Sequence, residues 1–344
     1  MPAPYIYWNA ENGMLLNTCD LHQFLYGSDL HFLDESNLLF YTDKGVHCLD
    51  TDTMNEKWSY SCRGSDLAVS RDLSKAALIY SDLVVLDTST GQPIMDVPLK
   101  DILPGIQYPH GSNIVFDESG GCLFFSIDDG AIVKMDLEKK EVAQVFSAAY
   151  GYVTGFAISP DGRVAVISFE SEANKPYCLN VFDASGDTLY SITSNDSIED
   201  PSFVPTDSDQ LIYTSYEDLI ILNLRDGTQH ICMHGDIVTD YYVFEDLIVT
   251  TSYNGSIRFW DAEGSEYTLL RMNLGIYIST LDCVPGMFAL ESEKEVVLLR
   301  PFENNNAILL EGHSELYIED MIYLEDSRHL VSCSDFGEII LWDL

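Results

Sequence analysis

Basic residues are scarce in this chain. Its 344 residues include 17 Lys and Arg against 56 Asp and Glu, a formal charge of −39. Such a surface repels phosphate, which argues against direct binding to DNA, RNA or an anionic membrane and for a basic protein or peptide as partner. Paired cysteines are missing too. Cys19, Cys48, Cys62, Cys122, Cys178, Cys232, Cys283 and Cys333 stand singly, without a CxxC, in runs such as SCSD and YCLN. Free, mostly buried thiols in a reducing, cytoplasmic compartment are expected, and a zinc site is not. No apolar run approaches the roughly 18 residues of a membrane span. The start, MPAPYIYW, has no basic segment leading into an apolar one, so no signal peptide is expected. GxSxG, a Gly-rich phosphate loop, HxH and HExxH are all absent, and no cofactor or metal is implied.

What the chain does have is strands. Segments such as LLFYT, VHCLD, AALIY, LVVLD, CLFFSI, VAVISF, LIILNL, SIRFWD and IILWD are β-branched or aromatic, short, and divided by Gly, Asp, Asn and Ser. No run of ten or more residues carries a helical period, so the fold class is all-β. The strands repeat. An apolar or aromatic residue followed by Asp, or by a stand-in, closes one strand of each unit: Trp8-Asn9, Leu49-Asp50, Leu86-Asp87, Met135-Asp136, Phe182-Asp183, Leu222-Asn223, Trp260-Asp261, Leu299-Arg300 and Trp342-Asp343. The mean step of about 42 residues falls within the period of β-propeller blades.

The segments His234 to Asp261 and Gly312 to Asp343 carry the most specific pattern: a His, a hydroxyl residue, a turn and a closing Trp-Asp. On these residues the chain resembles the WD-repeat β-propeller family. The resemblance implies a hydrogen-bonded support inside a blade, formed by His234, Thr250, Asn254 and Trp260 in one repeat. In the other it implies His313, Ser332 and Trp342, with Phe336 at the acidic position. The segments LDTDTMNEKWSYS and LDTSTGQPIMDVP also resemble quinoprotein-type blades.

A single propeller over 1–344 is expected, with eight four-stranded antiparallel blades; seven blades with an appended hairpin is the alternative count. Residues 314–344 supply only three strands. The fourth is expected from the N-terminal segment near Met14–Thr18, which closes the ring and removes an open edge. Tyr5–Trp8 is then surplus, either an extra strand on the rim or the remnant of a longer, multidomain protein.

Carboxylate pairs such as Asp128-Asp129 and Asp34-Glu35, and the group Asp50, Asp52 and Glu56, read more simply as turn formers and solubilising charge than as glycosidase or calcium sites. Their collective placement is more informative. The turns between second and third strands are expected to carry Tyr41, Thr42 and Asp43; Tyr80 and Asp82; Asp128 and Asp129; Glu170 and Glu172; Tyr216, Glu217 and Asp218; Tyr253 and Asn254; Glu291 and Glu293; and Asp335 and Phe336. Alternating acids and aromatics suit Lys or Arg. The expected function is therefore a non-enzymatic protein-interaction scaffold or sensor propeller. It would bind a basic peptide or protein surface through Tyr41, Asp43, Tyr216, Glu217, Asp218, Tyr253 and Asp335. The alternatives are an enzyme or small-ligand binder using carboxylates at the central channel, and the sensor domain of a larger signalling protein.

Overall fold

The computed structural model describes residues 7–8, 14–20, 30–106, 109–128, 130–170, 176–244, 247–267, 272–273, 278, 281–284, 287–292, 295–300, 306–313, 318–324, 329–334 and 338–344. These form a β-propeller of eight antiparallel blades, as the repeat predicts, with one short helix, Leu99–Ile102. Blades 1 to 7 run in chain order from His31, Asp66, Gly111, Tyr152, Ile198, Val238 and Leu281, each with four strands, a to d. Blade 8 takes strands a to c from Ile318–Leu324, His329–Ser334 and Glu338–Asp343, and its fourth from Met14–Asp20.

The reason for this layout is visible in the burial. Strands b and c are apolar on both faces. Leu38 to Tyr41, Ala76 to Ile79, Leu83 to Leu86 and Val164 to Ile167 are all buried. Strand d alternates instead, as in Glu141–Ser147 and, from Leu189 on, Thr188–Ser194, where every second residue is exposed. A sheet with two apolar faces needs an apolar neighbour on each side.

The chain divides into two compact units, Ser61–Met233 and Met1–Tyr60 with His234–Leu344. Within the first, blades 2 and 3 share a core that includes Ile79, Val85, Phe116 and Phe125. Phe124, Phe146 and Val166 join blades 3 and 4. Ile167, Leu179, Ile198 and Leu211 join blades 4 and 5. Within the second, Phe259 and Phe288 join blades 6 and 7, Leu298 and Trp342 join blades 7 and 8, and Phe40 and Leu341 join blade 8 to blade 1. Each large side chain so buried contributes about 1.5–3 kcal/mol.

At two of these joints a carboxylate accepts a backbone N–H from the neighbouring blade. The Asp66 carboxylate accepts the Ile114 N–H at 2.7 Å, and the Asp320 carboxylate accepts the Leu30 N–H at 2.9 Å, across 290 residues of chain.

The recurrent Asp that closes strand c has a local cause. Asp50, Asp87, Asp136, Asp183 and Asp261 each accept a backbone N–H from two to four residues on, which fixes the c–d turn. Asn223 does the same through its amide oxygen. In blades 1 and 2 the following threonine reaches back to the a–b turn, Thr51 to the Glu35 carbonyl and Thr88 to the Leu73 carbonyl.

Met14–Asp20 pairs antiparallel with Glu338–Asp343, from Met14 opposite Asp343 to Asp20 opposite Glu338. Tyr7–Trp8 pairs parallel with Asn306–Glu311, as a fifth strand on blade 7; Tyr5 lies outside the described residues. Removing residues 1–20 should leave both strands as open edges. A Tm lower by several degrees is expected in calorimetry; an unchanged Tm would mean the pairing adds nothing to stability.

Candidate functional site

Trp342, 2% exposed, donates its indole N–H to the Ser332 hydroxyl at 2.8 Å. The same hydroxyl lies 2.7 Å from His313 Nε2, and His313 Nδ1 lies 3.2 Å from the Glu338 carboxylate. One tautomer satisfies the chain: Ser332 donates to Nε2, and Nδ1–H donates to Glu338. Burial pushes the His313 imidazole below its ordinary value, while the Glu338 charge pulls the other way. Phe336, aligned to the acidic position, lies outside the described residues, and Glu338 supplies the acid that faces His313.

Blade 6 keeps part of the set. Trp260 donates to the Thr250 hydroxyl at 2.9 Å, and His234, 2% exposed, has Nε2 3.5 Å from the Thr250 carbonyl. Asn254 departs from the expected support role. It is exposed, and its amide oxygen accepts from Ser252 Oγ, Ser256 N and Ser256 Oγ, closing its own turn.

Blade 1 holds a second hydroxyl–imidazole–carboxylate chain that the sequence pattern did not reveal. Thr42 Oγ1 lies 2.9 Å from His47 Nε2, His47 Nδ1 lies 2.7 Å from Glu56, and Ser59 donates to Glu56 at 2.9 Å. The His47 bond is the largest cause holding the Glu56 carboxyl below its usual range. Both chains have the order of a nucleophilic triad. Yet Thr42 and Ser332 are each 0% exposed, so neither oxygen can meet a substrate carbon. They tie a blade together. Among the described residues, no three His, Cys, Asp or Glu stand close enough to hold a metal ion.

The b–c turns divide into two kinds. Tyr41 does not belong to a binding face: it is buried at 4%, paired with Val46 inside the b–c ladder, because the turn beyond it is only Asp43 and Lys44. Asp43 is exposed. Glu291 is likewise buried, at 3%, within strand Met287–Ser292. Tyr216 and Tyr253 are exposed at 55% and 58%; beside Tyr216, Glu217 is exposed and Asp218 half-buried. Asp128 is exposed, Glu170 half-buried, and Tyr80 is tilted against His110 with ring centroids 4.9 Å apart. Asp129, Glu172, Glu293 and Asp335 lie outside the described residues. Tyr216 also has a φ of 51°, in the left-handed region where a bulky residue is strained.

A third aromatic group went unread in the sequence. In blade 4, Tyr152 of strand a, Phe169 of strand b and Tyr177 of strand c lie side by side at the b–c end. Their centroids are 5.6 and 5.4 Å apart and their planes 34° and 23° apart. Tyr152 is 54% exposed. The signal that could have found this ladder is aromatic residues at three successive strand ends, placed side by side once the register is known.

Cys48, Cys62, Cys122, Cys178, Cys232 and Cys333 are free, and burial pushes the Cys48 thiol up to about 11. The side chains of Cys19 and Cys283 lie outside the described residues.

No family model and no curated protein matches the sequence. Solved structures do match the fold. A computationally designed protein, Ika8, superposes with a TM-score of 0.73 at 14% identity, over 94% of this chain and 98% of its own. BamB from Moraxella catarrhalis gives a TM-score of 0.65 at 13% identity, over 96% of this chain and all of its own. At such identity the likeness carries the fold and none of the chemistry.

Two outcomes test the blade 8 support. Trp342→Ala should cost about 3–5 kcal/mol in denaturant unfolding; a cost near zero would refute a buried anchor. The His313 proton gives a pH signature. Its folded pKa lies below the ordinary 6.5, so the unfolded chain takes up the proton first as pH falls. Stability from this group is whole above 6.5 and declines through the window just below it. His313→Gln should therefore lose less stability than the parent between about pH 7.5 and about pH 5.5. An equal loss would refute the assignment.

Proposed function

We propose that the protein is a non-enzymatic interaction propeller that binds a basic peptide or protein surface. The observation that carries this reading is the pair of exposed turn tyrosines, Tyr216 and Tyr253, on a chain of net charge −39. Exposed rings supply contact area at low conformational cost, and carboxylates such as Glu217 favour a cation beside them. Long-range charge speeds encounter with a basic partner, and ring burial lengthens the life of the complex. The inaccessible hydroxyls of Thr42 and Ser332 favour binding over nucleophilic catalysis. The finer assignment to the WD-repeat type rests on the Trp260–Thr250 and Trp342–Ser332–His313 bonds. A cytoplasmic setting is proposed from the free thiols.

The left-handed Tyr216 allows binding and stability to be separated. Glycine accepts that conformation without strain, so Tyr216→Gly should unfold no more easily than the parent, with a gain of up to about 1 kcal/mol. The same variant should release a lysine- and arginine-rich peptide faster in surface plasmon resonance. Glu217→Gln should mainly slow association and weaken its dependence on salt. Equal binding of basic and acidic peptides of the same length would overturn the reading.

A further inference from the structure

Strand d is the outermost strand of a blade, and an outer edge invites pairing with another chain unless something blunts or covers it. Most of these edges are guarded. Asn55–Tyr60 carries Glu56 and Lys57, and Glu141–Ser147 carries Glu141. Pro93–Pro98 holds a proline at each end, and Met14–Asp20 ends on an aspartate. Thr188–Ser194 is broken by a bulge opposite Val181 and Phe182, and the described part of blade 6 contributes only Met272–Asn273. Asn306–Glu311 is covered by Tyr7–Trp8. Among the described residues, Gln229–Met233 of blade 5, within the unit Ser61–Met233, has none of these devices. It holds no proline and no Asp, Glu, Lys or Arg. Its register with strand c is unbroken, from Gln229 opposite Leu222 to Met233 opposite Asp218. One face of it is apolar and open, with Ile231 56% and Met233 69% exposed. Ile231 stands opposite Ile220, which is buried in the core shared with blade 4, so the apolar face of blade 5 runs outward past that core. The backbone is placed to match. Asn223 N–H donates to the Thr228 carbonyl at 2.9 Å, and ladder bonds fall on every second residue. His230 therefore turns its N–H and C=O to strand c, and Gln229 and Ile231 turn theirs outward.

We propose that this edge takes an extended segment of the basic partner as a fifth strand, as blade 7 takes Tyr7–Trp8. The assignment rests on the basic-partner reading above and names the form in which the partner is held. Backbone bonds to Gln229 and Ile231 supply the pairing, and a β-branched side chain beside Ile231 extends the apolar face. Charge selects the rest of the occupant, because acids stand at both ends of the edge. Asp226 is exposed in the c–d turn that leads into Gln229, where Arg225 is already bound to Asp209. At the other end Met233 pairs with Asp218, the residue that follows Tyr216 and Glu217. An uncharged edge between acidic turns suits a segment in which lysine or arginine alternates with β-branched residues. A second copy of the chain would bring a further charge of −39 to the same place, which disfavours pairing of two such edges.

The test uses the full chain and three short synthetic peptides: valine alternating with lysine, the same peptide N-methylated at every backbone amide, and valine alternating with glutamate. In calorimetric titration the first should bind. The N-methylated form should bind about tenfold more weakly or worse, because it offers no N–H to the edge, and the glutamate form should bind more weakly than the lysine form. Ile231→Pro removes an outward N–H and leaves the c–d ladder intact, a substitution that an edge strand accepts. It should keep the parent's Tm and weaken the lysine peptide about tenfold, whereas Ile231→Val retains the affinity. If Ile231→Pro lowers the Tm, the N-methylated comparison on the parent chain decides. Hydrogen exchange at the Ile231 amide should slow when the lysine peptide is added. Equal binding of the N-methylated form, an unaltered affinity in a stably folded Ile231→Pro, or unchanged exchange at Ile231 would overturn the edge site and leave the basic-partner reading standing. A dimer in light scattering that Ile231→Pro dissociates would also overturn it, with a second copy as the occupant. Failure of the lysine peptide to bind, or equal binding of the glutamate form, would overturn both.

Discussion

The second and third strands of each blade carry apolar side chains on both faces, and a lone four-stranded sheet would leave both faces in water. Every other feature of the chain follows from meeting that need. Cores such as Ile79 with Phe125, or Ile167 with Ile198, give each blade a neighbour. The connections are then free to be short and polar, and the side chains at the strand ends are free to differ from blade to blade. Chemistry therefore collects at the turns, while the strands between them stay interchangeable.

In blades 1 and 8, buried polar groups are satisfied by short hydrogen-bonded chains. Ser332 satisfies an indole and an imidazole at once, and Glu338 takes the remaining imidazole proton. Thr42, His47 and Glu56 repeat the logic with different residues. A buried hydroxyl or imidazole left without such partners would cost more than the bonds contribute. The hydroxyls and imidazoles of these chains accordingly lie under the surface.

The blades were legible in the sequence because one local need recurs: the c–d turn wants a carboxylate to hold its backbone N–H groups, and Asp50, Asp87, Asp136, Asp183 and Asp261 answer it at near-constant spacing. The candidate site was less legible, because exposure depends on where a strand stops. Tyr41 and Tyr216 look alike in the sequence, but a two-residue turn keeps the first inside its ladder while the second sits in the turn itself. Glu338 was missed for a related reason. Alignment pointed to Phe336, whereas the acid that reaches His313 is the first residue of strand c. The Tyr152–Phe169–Tyr177 ladder depends on cross-strand register, including a bulge between Val153 and Gly155 that composition does not encode.

The aspartates that fix the turns have a consequence for the molecule as an electrolyte. Hydrogen bonds from Thr53 and Lys57 hold Asp50 down to about 2, and those from Ser70 and Ser74 do the same for Asp72. Asp87, Asp136, Asp183 and Asp226 shift the same way, whereas burial pushes Asp66 and Asp200 up. Folding thus makes stronger acids of the six turn aspartates. Each of them keeps its negative charge into more acidic solution in the folded chain than in the unfolded one, so acid reaches the turns only after carboxylates without such bonds have taken up their protons.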